Sequence, residues 1–284
     1  MRTFAFVILR GTMLCAFGSP AIAVQPALPW TFTVSSGAVT VPFDALPPAS
    51  STRATAVLLL VPGYNGSGRE LVIDAGWIRF AEERGLLLLA PSFRTTPEEL
   101  KRRKGYYYPE LGSGRTLEAA LEKVRENTGV NVDKFLIFGF SAGAHFAHRY
   151  ALWHPNRVRA FVAYSAAWWS EPEGSLSAVP ALIMCGEGDS RHEATREFME
   201  KALALELPWI WRAYRGTGHE MTPAVRRMSE VFLAHHASGE MTPMFAGDIQ
   251  TYKFVPEKDK EAIPENMRVM LPSREVAEIW SKEE

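Results

Sequence analysis

Short continuous apolar runs alternate with longer amphipathic segments along this sequence, and that alternation restricts the fold more than any other feature. Uninterrupted apolar runs such as residues 86–90 and 135–140 are typical of strands that are covered on both faces. Between the runs, segments such as residues 116–128 carry apolar side chains at helical spacing. A repeat of strand and helix predicts an α/β fold, with a mostly parallel central sheet flanked by helices in a three-layer sandwich.

The same patterns predict the remaining elements. Further strands are expected at residues 30–34, 38–42, 54–61, 158–164, 181–185 and 209–214. Further helices are expected at residues 69–84, 142–153, 191–206 and 223–236, and residues 91–114 are expected to be irregular.

Composition excludes several classes of protein. The chain has 284 residues, with 31 Lys and Arg against 32 Asp and Glu, a net charge of −1. Such a balance gives no electrostatic basis for a nucleic-acid partner. Two cysteines are too few for a disulfide scaffold or a four-thiolate zinc site.

Residues 1–23 have the features of a signal peptide. A positive start and an apolar stretch lead to Ala21-Ile22-Ala23, an A-x-A pattern that predicts cleavage after Ala23. Arg10 interrupts the apolar stretch, so a permanent membrane anchor is not expected. We expect a secreted or periplasmic protein; the alternative is a disordered cytosolic extension.

The sequence beyond the signal peptide divides into two parts. Residues 24–239 contain the alternating pattern and are expected to form one domain. Residues 240–284 break the pattern with several prolines and a charged run, and they are expected to pack on the domain or to be partly disordered. Cys185, the cysteine that remains after cleavage, ends an apolar run and is expected to be a buried core residue rather than a reactive thiol.

Ser141 lies in the pattern G-x-S-x-G, which residues 139–143 match as GFSAG. The pattern alone is weak evidence. Here it lies between a predicted buried strand and a predicted helix, which is the position of a nucleophilic serine in a strand-turn-helix motif. A serine in such a sharp turn projects its hydroxyl above the sheet at a helix N-terminus, where partial positive charge favours a developing oxyanion. Ser141 is therefore a candidate nucleophile, and an ordinary helix cap is the alternative.

A serine nucleophile needs a base, and His219 is the best candidate. It follows a predicted strand in a glycine-rich loop, at the edge where an open parallel sheet carries its functional residues. His145, His148 and His154 lie on or just after the helix that runs away from Ser141.

An acid should orient the base, and Asp189 follows another predicted strand between Ser141 and His219. Glu187 is a local alternative, and Glu171 and Glu173 are more distant ones. The order Ser, Asp, His is that of the hydrolases with a strand-turn-helix nucleophile.

Two backbone amides are candidates for an oxyanion hole. One belongs to Ala142, the residue after the nucleophile, and the other to Tyr64, in the glycine-rich loop after the strand at residues 54–61. Residues 62–68 lack the Lys and the glycine spacing of a phosphate-binding loop. Asn65, the neighbour of Tyr64, is a candidate substrate-pocket residue. Trp168 and Trp169 lie in a loop near the expected site, where they line a substrate pocket or close the edge of the core.

These motifs resemble the α/β-hydrolase superfamily over residues 53–236, especially compact serine esterases of the polyhydroxybutyrate-depolymerase, feruloyl-esterase and dienelactone-hydrolase type. The resemblance implies the α/β-hydrolase fold, with Ser141 as nucleophile, His219 as base, Asp189 as acid, and Tyr64 and Ala142 as oxyanion donors. The chain departs from the usual His-Gly start of the oxyanion loop, because it has Pro62-Gly63 there.

The sequence thus predicts a serine hydrolase that cleaves a small-molecule or polymer-linked carboxylic ester through an acyl-enzyme. No cofactor and no metal site are expected, since the spaced histidines His145 and His148 lack an accompanying acidic motif. A serine peptidase, an acyltransferase and a non-catalytic hydrolase-like binding protein remain as alternatives.

Overall fold

The computed structural model describes residues 28–37, 39–49, 54–176, 178–239 and 244–282. The predicted signal peptide, residues 1–23, lies outside them. Strands of the main domain are β1 Trp30–Ser36, β2 Val39–Leu46, β3 Ala56–Val61, β4 Leu86–Pro91, β5 Phe135–Phe140, β6 Val158–Tyr164, β7 Ala181–Gly186 and β8 Trp209–Tyr214. Its helices are α1 Gly68–Val72, α2 Ala75–Arg84, α3 Pro97–Lys101, α4 Ser113–Thr128, α5 Ala142–Trp153, α6 His192–Ala204 and α7 Pro223–Ser238.

Within the described residues, β1 to β8 form one sheet in the order β1-β2-β4-β3-β5-β6-β7-β8. The pairs from β4 to β8 are parallel, while β1 with β2 and β2 with β4 are antiparallel. Every residue of β3 and β4 is buried, which explains their uninterrupted apolar sequences. The predicted mostly parallel sheet is confirmed.

Helices cover both faces of the sheet. On one face, α5 contacts α4 through the hydrogen bond between Tyr150 and Glu118 and α6 through the rings of His148 and Phe198. On the other face, Arg226 of α7 lies over the Trp77 ring of α2. The sandwich therefore has the three predicted layers. No helix among the described residues is long and apolar enough to span a membrane.

Two predictions about local structure were wrong. The single helix expected at residues 69–84 is two helices, because the Asp74 side chain accepts a hydrogen bond from the Trp77 amide at 2.9 Å and so starts α2. The stretch expected to be irregular contains α3, which begins with a capping box formed by Thr96 and Glu99. The N-termini of α2 and α3 are both fixed by polar side chains, and the spacing of apolar residues does not reveal them.

Residues 244–282, the described part of the C-terminal extension, pack along the edge strand β8. They form an antiparallel sheet of β9 Phe245–Asp248, β10 Phe254–Pro256 and β11 Arg268–Leu271, followed by helix α8 Arg274–Trp280. The Tyr252 hydroxyl accepts a hydrogen bond from the Ala213 amide at 3.0 Å, and the Trp280 indole donates to the Trp211 carbonyl at 2.7 Å. These side chains satisfy backbone groups that β8 would otherwise present at the sheet edge.

Candidate active site

Ser141 lies at the turn between β5 and α5, where its backbone takes a conformation that few side chains adopt. Its φ is 56° and its ψ is −114°. The Ser141 amide donates to the Tyr164 carbonyl at 2.8 Å, which fixes the turn against the end of β6. The sharp strand-to-helix turn predicted from the sequence is present.

Glycines on either side of Ser141 are required by close backbone contacts. A Cβ atom on Gly139 would lie 2.3 Å from the Gly143 carbonyl oxygen, and one on Gly143 would lie 2.0 Å from the Val61 carbonyl oxygen. The turn therefore forms only if both positions lack a side chain.

His219 bridges Ser141 and Asp189. Its Nε2 atom lies 2.8 Å from Ser141 Oγ, and its Nδ1 atom lies 2.7 Å from Asp189 Oδ2. Because an ionised carboxylate only accepts, Nδ1 carries the proton and donates to Asp189, which leaves Nε2 free to accept from the serine hydroxyl. Three residues that are far apart in the sequence thus meet at the carboxyl ends of β5, β7 and β8.

The Asp189 side chain is fully buried, with 0% of its surface exposed. Burial acts to raise the pKa of this carboxyl, but hydrogen bonds from His219 and Arg191 outweigh burial and hold the pKa below its ordinary value. Arg191 donates twice to Oδ1, from its backbone amide at 3.1 Å and from Nη1 at 3.0 Å. Asp189 is therefore an anion whose two oxygens are both engaged.

The loop that carries His219 is held by its neighbours. The Tyr164 hydroxyl donates to the Glu220 carbonyl at 2.7 Å, and the Gly188 amide donates to the Thr217 carbonyl at 2.9 Å. The imidazole also stacks on the Phe140 ring, with centroids 4.9 Å apart. These contacts fix the ring on the side that faces Ser141. The roles of Tyr164 and Arg191 were not foreseen, because neither residue lies in a sequence motif.

The predicted oxyanion loop runs beside Ser141. A Cβ atom on Gly63 would lie 3.7 Å from the Cβ of Ser141, so the backbone at Gly63, next to Tyr64, approaches the serine closely. Among the described residues, the Tyr64 amide donates to no backbone acceptor in the turns and loops, and Ala142 is the first residue of α5, where an amide has no partner within the helix. Two unengaged amides next to the serine are what an oxyanion hole needs.

The Asn65 side chain holds the oxyanion loop against Thr95. Its Oδ1 accepts from the Thr95 amide at 2.9 Å and its Nδ2 donates to the Thr95 carbonyl at 2.9 Å. The Tyr64 hydroxyl donates to the same carbonyl at 3.2 Å. Asn65 also has a positive φ of 51°, a conformation that asparagine tolerates better than most residues.

The two tryptophans that follow β6 have different surroundings. Trp168 is 56% exposed, and its ring lies 5.5 Å from the His145 ring and 6.3 Å from the Tyr107 ring. Trp169 stacks on Phe198 of α6 at 4.1 Å, so it closes the edge of the core instead of lining a pocket at Ser141.

The remaining histidines of α5 have structural roles. His145 and His148 each accept a hydrogen bond at Nε2, from the amides of Ala167 and Ser170, and each donates from Nδ1 to a carbonyl. Burial lowers the pKa of His145 to about 3 and that of His148 well below its ordinary value, so both rings are neutral and hold the loop after β6.

The alternative acids do not reach His219. Glu171 pairs with Lys201 at 2.6 Å on the outer face of α6, and Glu187 and Glu173 are exposed. Cys185 is buried, and burial raises the pKa of its thiol. It is therefore a core residue rather than a reactive thiol. Across the described ranges, no group of three or more His, Cys, Asp and Glu side chains could hold a metal ion.

Solved structures that share this architecture include hydrolases of low sequence identity. A ferulic acid esterase is 16% identical, with a TM-score of 0.61, over 75% of this chain and 98% of its own. An S-formylglutathione hydrolase from Agrobacterium tumefaciens is 16% identical, with a TM-score of 0.59, over 75% and 95%. A poly(3-hydroxybutyrate) depolymerase from Bordetella parapertussis is 18% identical, with a TM-score of 0.58, over 76% and 92%.

No protein-family model matches the sequence, and no curated protein matches it significantly. The structural likeness extends over three quarters of the chain and nearly the whole of each hydrolase. The sheet order, the strand-turn-helix at Ser141 and this likeness agree, and the chain has the α/β-hydrolase fold of these esterases.

Proposed function

We propose that this protein is a serine hydrolase that cleaves a carboxylic ester. The observation that carries the proposal is the position of His219, which bonds Ser141 Oγ at 2.8 Å through one ring nitrogen and Asp189 Oδ2 at 2.7 Å through the other. A serine hydroxyl is a weak nucleophile until a base removes its proton, and this arrangement supplies the base and orients it.

The proposed reaction has two steps. Ser141 Oγ attacks the ester carbonyl carbon while His219 Nε2 takes the hydroxyl proton, and the tetrahedral intermediate then collapses. The alcohol leaves with the proton from His219, and the acyl group stays on Ser141. Water attacks this acyl-enzyme, His219 again takes and returns a proton, and the carboxylic acid leaves.

Charge develops on the carbonyl oxygen during both steps, and the amides of Tyr64 and Ala142 are suited to stabilise it. The loss of one such donor typically lowers kcat about 10²- to 10³-fold. Asp189 stays ionised and stabilises the imidazolium that forms on His219 in each transition state.

We propose a small-molecule or polymer-linked ester as substrate and a secreted or periplasmic location. The location rests on the A-x-A pattern at Ala21-Ile22-Ala23 and the apolar stretch before it. The substrate class rests on the serine nucleophile and on the hydrolases that share the fold.

The test is hydrolysis of short p-nitrophenyl esters by the wild-type protein and by Ser141→Ala. We expect Ser141→Ala to lower kcat by about 10⁴-fold or more without a change in melting temperature, because it removes only the nucleophilic oxygen. His154→Ala is the matched control for His219→Ala, since His154 lies at the far end of α5. His154→Ala should retain activity, and His219→Ala should lose it.

A fluorophosphonate probe separates this proposal from a non-catalytic hydrolase-like binding protein. Labelling of the wild-type protein and none of Ser141→Ala is the expected result. Activity retained in Ser141→Ala, or no labelling and no ester hydrolysis by the folded wild-type protein, would contradict the proposal. Peptide cleavage faster than ester cleavage would assign a peptidase instead.

A further inference from the structure

Arg191 occupies the oxygen of Asp189 that His219 leaves free. Its guanidinium Nη1 lies 3.0 Å from Oδ1, while His219 Nδ1 lies 2.7 Å from Oδ2. The arginine is two residues after the aspartate and immediately precedes α6, and its backbone amide also donates to Oδ1. The carboxylate is thus held between a permanent cation and the imidazole.

A buried carboxylate beside a neutral histidine is stabilised by a counter-ion. The Asp189 side chain has no exposed surface, and the proposed reaction requires a neutral His219 ring beside it before the serine proton is taken. Burial favours the protonated acid, which could not accept the Nδ1 proton, and the hydrogen bonds from Arg191 oppose this effect. Arg191 supplies the positive charge, and 31% of its own side chain remains exposed to water.

The other groups around Asp189 do not supply that charge. The Ser165 hydroxyl, just after β6, helps to lower the pKa of Asp189 but carries no charge. Tyr164 and the Cys185 thiol interact electrostatically with Asp189. Burial raises the pKa of each group, so both stay neutral. Arg191 itself also faces Tyr107 and the neutral His145.

We propose that Arg191 is a positioning residue that acts through Asp189: it keeps the carboxylate ionised and oriented while His219 is neutral, and it sets the pH at which the resting site takes up a proton. The inference rests on the proposed function. Arg191 and a protonated His219 are both cations on one carboxylate, so Arg191 disfavours protonation of the resting site.

The test uses Arg191→Gln, Arg191→Lys and a control, Arg196→Gln. Arg196 lies on α6, which Arg191 immediately precedes; it pairs with Glu193 and Glu200, and 45% of its side chain is exposed. The measurements are kcat and KM for p-nitrophenyl acetate between pH 5 and 9, the rate of fluorophosphonate labelling, and the melting temperature.

For Arg191→Gln we expect kcat on the pH plateau to fall about 10-fold or more, because the carboxylate can turn away from His219. We expect the acid limb of the kcat/KM profile to move up by about 0.5 to 1 pH unit, since the repelling cation is gone. KM should stay within about twofold. Arg191→Lys should restore the position of the limb but only part of the rate, because an ammonium keeps the charge without the planar fork.

Three results would overturn the inference. The first is an Arg191→Gln variant with the kcat and the acid limb of the wild type. The second is a raised KM with unchanged kcat and limb, which would make Arg191 a substrate contact. The third is an identical pH profile with a loss of rate matched by a fall in melting temperature, which would make its role structural only.

These failures differ from failure of the proposed function. If Ser141→Ala is inactive and the wild type is active while Arg191→Gln behaves as the wild type, only the role of Arg191 is refuted. If the wild type and Arg196→Gln are both folded and inactive, the ester hydrolase itself is refuted.

Discussion

Trp280, at the end of α8, offers the sharpest test of how the C-terminal extension is attached to the domain. The side chain is 0% exposed, and its indole donates to the Trp211 carbonyl of β8 at 2.7 Å. Its ring lies 5.2 Å from that of Tyr252, and a Cβ atom on Gly247 would come within 2.6 Å of it. The indole therefore fills a space enclosed by the extension and by the edge of the main sheet.

The expected cost of Trp280→Ala follows from these contacts. Removal of a fully buried tryptophan side chain typically costs about 3 to 5 kcal/mol of unfolding free energy. The loss of the hydrogen bond leaves the Trp211 carbonyl without its partner and adds about 1 kcal/mol. A total of about 4 to 6 kcal/mol corresponds to a fall in melting temperature of about 10 to 20 °C in a chain of this size.

The assay is urea unfolding and calorimetry of the wild type, Trp280→Ala, Trp280→Phe and Trp168→Ala. Trp280→Phe keeps most of the packing and loses the hydrogen bond, so it should cost about 1 to 3 kcal/mol. Trp168 is 56% exposed, and its removal should cost no more than about 0.5 kcal/mol. If Trp280→Ala destabilised the protein no more than Trp168→Ala does, the extension would not be part of the folded core.

Two further predictions concern pH and export. Burial lowers the pKa of His145 to about 3, whereas an unfolded histidine has a pKa of about 6.5. Between these two pH values the unfolded chain binds more protons than the folded chain. The free energy of unfolding therefore decreases as the pH falls below about 6.5. At pH 5 this effect of His145 should lower the free energy of unfolding by about 2 kcal/mol. Urea unfolding at pH 7.5 and at pH 5 should therefore show a smaller change in unfolding free energy for His145→Gln than for the wild type. An equal change in both proteins would contradict the assignment. Intact mass measured after expression in a secreting host should give a mature chain that starts at Val24, and recovery of only uncleaved chain would count against the signal peptide.

The sequence alone predicts the elements whose apolar pattern is uninterrupted. The bounds of β5, α5, β6 and β8 agree with the predicted ones, because nearly every residue of each is buried and the apolar run therefore begins and ends with the element. It does not predict the three-stranded sheet of the extension, because those strands have three or four residues each and depend on partners distant in the chain.

For the candidate site, order along the chain and position after a strand were enough to select Ser141, His219 and Asp189 for testing. The contacts around them could not be predicted. Arg191 is near Asp189 in sequence, but its reach to Oδ1 depends on how the chain turns into α6. The role of Asn65 depends on Thr95, 30 residues away. Such contacts of single polar side chains leave no periodic pattern in the sequence.

The backbone of Ser141 also bears on how stability is distributed in this protein. A φ of 56° with a ψ of −114° is unfavourable for a residue that has a Cβ atom, and such positions typically cost about 1 to 3 kcal/mol. Glycine would adopt the same angles with less strain. The chain thus keeps the candidate nucleophile at the expense of thermodynamic stability, and evolution toward greater heat resistance would tend to replace this serine unless selection for its hydroxyl opposed the change.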